Sequence, residues 1–113
     1  MNPMLEIRKA TAADLPALTA IRPPEAIHRG RLRDAAASAD YDYYVLVRGT
    51  KIVGFGALVF RRPASWANAN DERNLPEIND LHVAEMERSK GYGAAAIRLM
   101  EQKAAEAGAE RLY

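Results

Sequence analysis

The sequence predicts an α/β (α+β) domain in which a mixed, mostly antiparallel sheet is flanked by helices, and three stretches predict it. Two apolar runs rich in aromatic and β-branched residues, Tyr43–Val47 and Ile52–Phe60, are joined by the tight turn Arg48-Gly49-Thr50-Lys51 and so form an antiparallel hairpin. Two segments with apolar residues at helical spacing precede it. A further strand, Glu77–Val83, passes through a short loop into a long helix that opens on Gly91-Tyr92-Gly93.

Each element follows from its own residues. Leu5-Glu6-Ile7-Arg8-Lys9 alternates apolar and polar, as a strand with one buried face does. Thr11 with Asp14 three residues on has the form of a capping box, and Leu15, Leu18 and Ile21 continue at helical spacing. Pro23-Pro24 stops that helix, because proline removes a backbone donor and pushes its predecessor out of the helical region. A second helix is expected from Glu25 to Ala39, with Ile27, Leu32, Ala35 and Ala36 as its apolar stripe and His28 at its surface. Gly54 and Gly56 fall on one face of the returning hairpin strand and suggest a bulge or the close approach of another element.

From Arg61 to Leu75 the chain is polar and reads as a surface loop, in which Trp66, Asn68 and Asn70 either reach a ligand or cover a core edge. Strict alternation along Glu77–Val83 puts Glu77, Asn79, Leu81 and Val83 on one face and Ile78, Asp80 and His82 on the other. The last helix, Gly91 to Ala107, turns Ala95, Ala96, Leu99, Met100 and Ala104 inward. Gly108 is its expected C-cap and Glu110–Tyr113 the start of another strand.

Composition narrows the function. With 113 residues, 49% of them hydrophobic and 27% charged, the chain has enough apolar content for one modest core. No apolar run approaches the roughly 18 residues of a membrane span, and the first nine residues have no signal-peptide character. The absence of cysteine excludes disulfides and thiolate chemistry, and fits a cytoplasmic protein. A net charge of +1 with interleaved signs favours neither nucleic acid nor an anionic membrane as partner. His28 and His82 are too far apart in sequence to suggest a metal site.

The chemistry concentrates where strand 77–83 gives way to the last helix. Glycines at 91 and 93 let a ligand approach the backbone, and the first amides of a helix lack intrahelical partners. The helix dipole adds partial positive charge there, and Arg88 and Lys90 add full charges. A phosphate or diphosphate belongs at such a place. The alternative is that the glycines only allow close helix packing and that Arg88 and Lys90 are ordinary surface charges.

This element order resembles the GNAT superfamily of acetyl-CoA-dependent N-acetyltransferases. The resemblance is carried by Ile7-Arg8-Lys9-Ala10-Thr11 through Asp14-Leu15-Pro16, by Lys51-Ile52-Val53-Gly54-Phe55, and most specifically by Asp80-Leu81-His82-Val83 followed by Arg88-Ser89-Lys90-Gly91-Tyr92-Gly93, which matches the family's Arg/Gln-x-x-Gly-x-Gly/Ala signature. Glu85 and Ser89 depart from a proline and a glycine that the family often carries, and neither departure removes an amide donor. The family normally continues through a fifth strand and more, so the resemblance implies that residues 1–113 are a single domain holding the first two-thirds of that fold.

The resemblance implies that amides of Arg88, Ser89, Lys90, Gly91, Tyr92 and Gly93 hold the CoA diphosphate. Leu81, His82 and Val83 would line the pantetheine arm. A strand carboxylate, Glu77 or Asp80, would relieve the attacking amine of its proton, with Glu77 the favoured of the two. Two structural alternatives stand beside these roles: Glu77 as a solvated strand-end carboxylate, and Asp80 with His82 as a hydrogen-bonded pair. The implied activity is acetyl transfer from acetyl-CoA, without a metal, to a primary amine of a small molecule or peptide. The competing expectation is an inactive short form that binds CoA or self-associates, as a homodimer, through an exposed central strand. A nucleotide-binding module is disfavoured, since no Lys-Ser/Thr follows the glycines.

Overall fold

The computed structural model describes residues 5–59, 77–85, 87 and 91–111. Its elements run β1 (Leu5–Lys9), a single 3-10 turn (Ala12–Asp14), α1 (Leu15–Ile21), α2 (Glu25–Ala37), β2 (Tyr41–Arg48), β3 (Lys51–Val59), β4 (Glu77–Val83) and α3 (Tyr92–Arg111). The strands form one sheet in the order β1-β2-β3-β4, each antiparallel to its neighbour. The β2–β3 connection is a two-residue turn between Arg48 and Lys51, with Gly49 at φ +64°, where a side chain would be strained. The expected surface loop with Trp66, Asn68 and Asn70 lies outside the described residues, as do Arg88, Ser89 and Lys90.

Helices cover both faces of the sheet. On one face α1 and α2 pack Leu18, Leu32 and Ala35 against Tyr43, Val45, Phe55 and Ala57. On the other, α3 lays Tyr92, Ala95, Ala96 and Leu99 over Leu5, Leu46, Val53 and Val83, and Met100 and Ala104 over Tyr44, Leu58 and Ile78. Fully burying side chains such as Phe55, Leu46, Leu58 and Met100 stabilises the fold by about 1.5–3 kcal/mol each before chain entropy is counted.

Two bulges break the alternation. Leu46 faces Gly54 but Val47 faces Ile52, so Val53 is an extra residue in β3. Phe55 faces His82 but Ala57 faces Asn79, so Asp80 and Leu81 together oppose Gly56. Asp80 takes up the surplus at φ +55°. The glycines make this possible. A Cβ at Gly54 would lie 2.5 Å from the His82 carbonyl oxygen, and one at Gly56 would lie 3.1 Å from Leu81 and 3.2 Å from Met100. The bulge and the close approach read from Gly54 and Gly56 are both present.

Two-residue alternation misassigned the faces of β4. Because the bulge adds one residue, Ile78 joins Leu81 and Val83 on the α3 side, while Asn79 and His82 stand opposite Ala57 and Phe55 on the α1/α2 side. Glu77, opposite Val59, shares that side with His82. Helix ends also differ. α2 stops at Ala37, and α3 continues through Gly108 to Arg111, so Gly108 is no C-cap and Glu110–Arg111 no strand. One glycine costs a helix only about 1 kcal/mol, and the surrounding Ala, Glu and Arg favour continuation.

The chain enters α1 through an ionic cap. Asp14 is buried, accepts from the Thr11 amide at 2.7 Å, and takes two hydrogen bonds from Arg8 at 2.8 and 2.9 Å. The Arg8 guanidinium holds the Asp14 carboxyl below its ordinary range. A depressed folded-state pKa stabilises the fold above the unfolded carboxyl's value, about 3.9, and that stabilisation is lost as pH falls through the lower folded value.

Asp14→Asn is therefore expected to lower stability by about 1–2 kcal/mol at pH 7, with the gap to the parent chain closing in urea titrations carried down toward pH 3. Gly54→Ala is expected to cost about 1–3 kcal/mol and Gly56→Ala less. At Gly54 the obstacle is a strand carbonyl, whereas at Gly56 it is the flexible ends of Leu81 and Met100; urea midpoints rank the two.

Candidate functional site

Two features meet at β4. The first is a cleft of about 230 Å³ on the α1/α2 face. Arg22, Ile27 and Arg31 line it from the helical side, Phe55 from β3, and Asp80, Leu81 and His82 from the bulged part of β4. Without the bulge, Asp80 would sit within a regular ladder. With it, the Asp80 side chain is half exposed and pairs with Arg31 at 3.5 Å. His82 stacks on Phe55 with ring centroids 5.4 Å apart and planes 23° apart. The cleft thus brings Asp80 and His82 together through different neighbours, and Glu77 stands on the same face toward the strand's start without lining it.

Arg31 is held from three sides. Its guanidinium lies 5.5 Å from the Tyr43 ring centroid and 5.6 Å from that of Phe55, within cation–π range. Its Nη1 donates to the Tyr43 hydroxyl at 3.2 Å. That hydroxyl lies 2.7 Å from His28 Nδ1, and His28 Nε2 lies 2.6 Å from the Arg22 carbonyl oxygen. A carbonyl only accepts, so Nε2 carries the proton, and Nδ1 of the neutral ring accepts from Tyr43. The hydrogen bonds therefore run in one direction, from Arg31 through Tyr43 and His28 to the backbone of Arg22. This chain ties α2, β2 and the end of α1 together beneath the cleft. Burial pushes the Tyr43 hydroxyl's pKa up, with Arg31 opposing, and burial likewise raises Tyr41, to about 12.

His28 is fully buried, which corrects its assignment to the helix surface. The signal was present in the sequence: His28, Leu32 and Ala35 share a helical face, and that face points inward while Ile27 is 38% exposed. Arg31 and Glu87 were missed altogether. Glu87 is 2% exposed, and its carboxylate is held by Arg48 at 3.4 Å and Lys51 at 3.3 Å, which fastens the β4–α3 connection to the hairpin. Those partners are 39 and 36 residues away, beyond any local pattern.

The second feature is the start of α3. Gly91 sits at φ +78°, a conformation that strains any other residue. Among the described residues, a Cβ built at Gly91 or Gly93 would meet nothing within 4 Å. The Ala95 amide closes the first helical bond onto the Gly91 carbonyl at 3.4 Å, and amides ahead of it in such a helix have no intrahelical partner. In a helix of 20 residues the dipole is fully developed. Leu81 contributes to both the cleft and the α3 core, whereas the Val83 side chain is buried beneath α3. Among the described residues no three His, Asp or Glu side chains are placed to hold a metal ion, and no helix is long and apolar enough to cross a membrane.

The family model for the acetyltransferase (GNAT) family matches residues 6–113. No curated protein sequence matches the chain. Among solved structures, it is similar to an aminoglycoside antibiotic 6'-N-acetyltransferase of Acinetobacter haemolyticus, with TM-score 0.69 and 17% identity over 89% of this chain and 72% of that one. A GNAT family acetyltransferase of Staphylococcus aureus gives TM-score 0.66 and 18% identity over 94% and 80% of the two chains. A predicted acetyltransferase with acetyl-CoA from Clostridium acetobutylicum gives 0.63 and 16% over 91% and 75%. At these identities the shared property is the fold.

Removing the Tyr43 hydroxyl tests the buried chain. Tyr43→Phe leaves His28 Nδ1 and one Arg31 donor without their partner, and is expected to destabilise the protein by about 1–3 kcal/mol. Histidine NMR should show His28 Nδ1 changing environment, with His82 unaffected.

Proposed function

The chain belongs to the GNAT acetyltransferase family, and from that premise we propose that it transfers an acetyl group from acetyl-CoA to the primary amine of a small molecule. The observation that carries this reading is the glycine-edged start of α3, the next helix after β4, where a Cβ at Gly91 or Gly93 meets no described atom within 4 Å. When bound, acetyl-CoA supplies an acetyl group activated as a thioester. The backbone amides of Gly91, Tyr92 and Gly93, joined by those of Arg88, Ser89 and Lys90, would hold its diphosphate. The strand segment Leu81-His82-Val83 would run beside the pantetheine arm, with no metal taking part.

The acceptor amine is assigned to the cleft. Asp80 lines it, is half exposed and carries a carboxylate, so it can hold an incoming ammonium and take its proton, directly or through water. We place Asp80 ahead of Glu77 in that role because Glu77, although on the same face, does not line the cleft. Phe55, Ile27 and Leu81 give the cleft apolar walls beside the amine. A peptide acceptor fits less well, since about 230 Å³ is below the roughly 300–1,000 Å³ of pockets that hold drug-sized ligands.

A second reading, a CoA-binding chain that self-associates as a homodimer without turnover, draws on one observation. No strand among the described residues pairs with the outer side of β4, and such an edge invites another chain.

Calorimetry with CoA and a thiol-release assay with acetyl-CoA and amines separate the two: binding with turnover supports the enzyme, binding without it the module. Gly93→Val, whose Cβ would meet nothing within 4 Å among the described residues, should keep the melting temperature close to the parent's yet weaken CoA binding about tenfold or more. Asp80→Asn should bind CoA normally and lose about 10²–10⁴-fold in turnover. Full turnover in Asp80→Asn passes the role to Glu77.

A further inference from the structure

On the premise of acetyl transfer proposed above, we propose that the acceptor is a small zwitterion, an amine that carries its own carboxylate as an α-amino acid does. The cleft presents opposite charges side by side: Arg31 Nη2 and Asp80 Oδ2 are 3.5 Å apart, a separation at which they attract but do not share a good hydrogen bond. An ammonium and a carboxylate attached to the same carbon can engage both groups at once, the ammonium on Asp80 and the carboxylate on Arg31. Neither charge of the ligand is then left unpaired, and neither is that of the protein.

Three further observations point the same way. The two arginines lining the cleft, Arg22 and Arg31, outnumber the single aspartate, so a polycationic amine meets net like charge whereas a carboxylate-bearing one does not. Arg31 is pre-organised. Its guanidinium packs against Tyr43 and Phe55 and is fixed by the Tyr43 hydroxyl, yet its side chain is 17% exposed, and the fork has donors beyond the two its described contacts employ. The same hydrogen-bond chain that fixes Arg31 ends on the backbone carbonyl of Arg22, so it ties the end of α1, which carries the second arginine, to α2. Arg31 is thus a specificity-determining residue, and His28 and Tyr43 are positioning residues that act through it. The cleft, of about 230 Å³, accommodates a compact molecule, and Ile27, Phe55 and Leu81 favour an apolar side chain on it.

The test is calorimetric and needs no turnover. The CoA-saturated chain is titrated with amines matched in pairs: alanine with ethylamine, leucine with 3-methylbutylamine, and alaninamide as a control for the carboxylate alone. The amino acids should bind roughly ten- to a hundredfold tighter than their decarboxylated partners, the worth of one charge-assisted hydrogen bond. In Arg31→Gln that preference should vanish while the CoA dissociation constant stays unchanged. Arg31→Lys, which keeps the charge and the packing stem, should retain part of the preference and serves if the glutamine variant unfolds. Equal affinity within each pair, binding of neither member, or a preference that survives Arg31→Gln would overturn the inference with CoA binding intact. Failure of the parent chain to bind CoA would instead remove the acetyl-transfer premise, and this inference with it.

Discussion

The two-against-one bulge in β4 is the constraint on which the rest of the structure depends. Asp80 and Leu81 share the space opposite Gly56, and every residue of β4 before them changes face relative to those after. Ile78 can then join Leu81 and Val83 beneath α3, while His82 reaches Phe55 on the opposite side. A regular strand could not satisfy both sets. One of the apolar residues would turn into the cleft, or His82 would turn into the α3 core. The bulge requires two positions on β3 without side chains, because the His82 carbonyl lies where a Cβ of Gly54 would be, and Leu81 and Met100 crowd Gly56.

The α1/α2 face is organised by polar contacts as much as by apolar ones. A buried imidazole, a buried phenol and a guanidinium are costly to desolvate singly, at about 1–3 kcal/mol for each unpaired group. Here each supplies the next one's partner, and the chain ends on a backbone carbonyl at the end of α1. Aromatic contacts among His28, Tyr43 and Phe55 surround it. These contacts orient Arg31 at the edge of the cleft.

The opposite face serves the start of α3. Its alanines and Met100 hold the helix close to the sheet, and Glu87, clasped by Arg48 and Lys51, ties the chain after β4 to the hairpin. The helix N-terminus and the cleft are thereby set by the two faces of the same bulged strand. The fold is shared with acetyltransferases at 16–18% identity.

By itself the sequence determined what local chemistry dictates. The β2–β3 hairpin followed from its β-branched runs and from Gly49, the capping box from the three-residue spacing of Thr11 and Asp14, the break after α1 from Pro23-Pro24, and the glycine turn that opens α3 from Gly91 and Gly93. Tertiary structure decided whatever depends on residues far apart in the chain. The faces of β4 were set by Gly56 on a neighbouring strand, the burial of His28 by Tyr43 fifteen residues on, and the place of Glu87 by a hairpin 36 and 39 residues away. Period-two reading cannot register an inserted residue, and helical periodicity treats histidine and arginine as polar whether or not a partner waits. The cleft and its paired charges exist only once those distant groups meet.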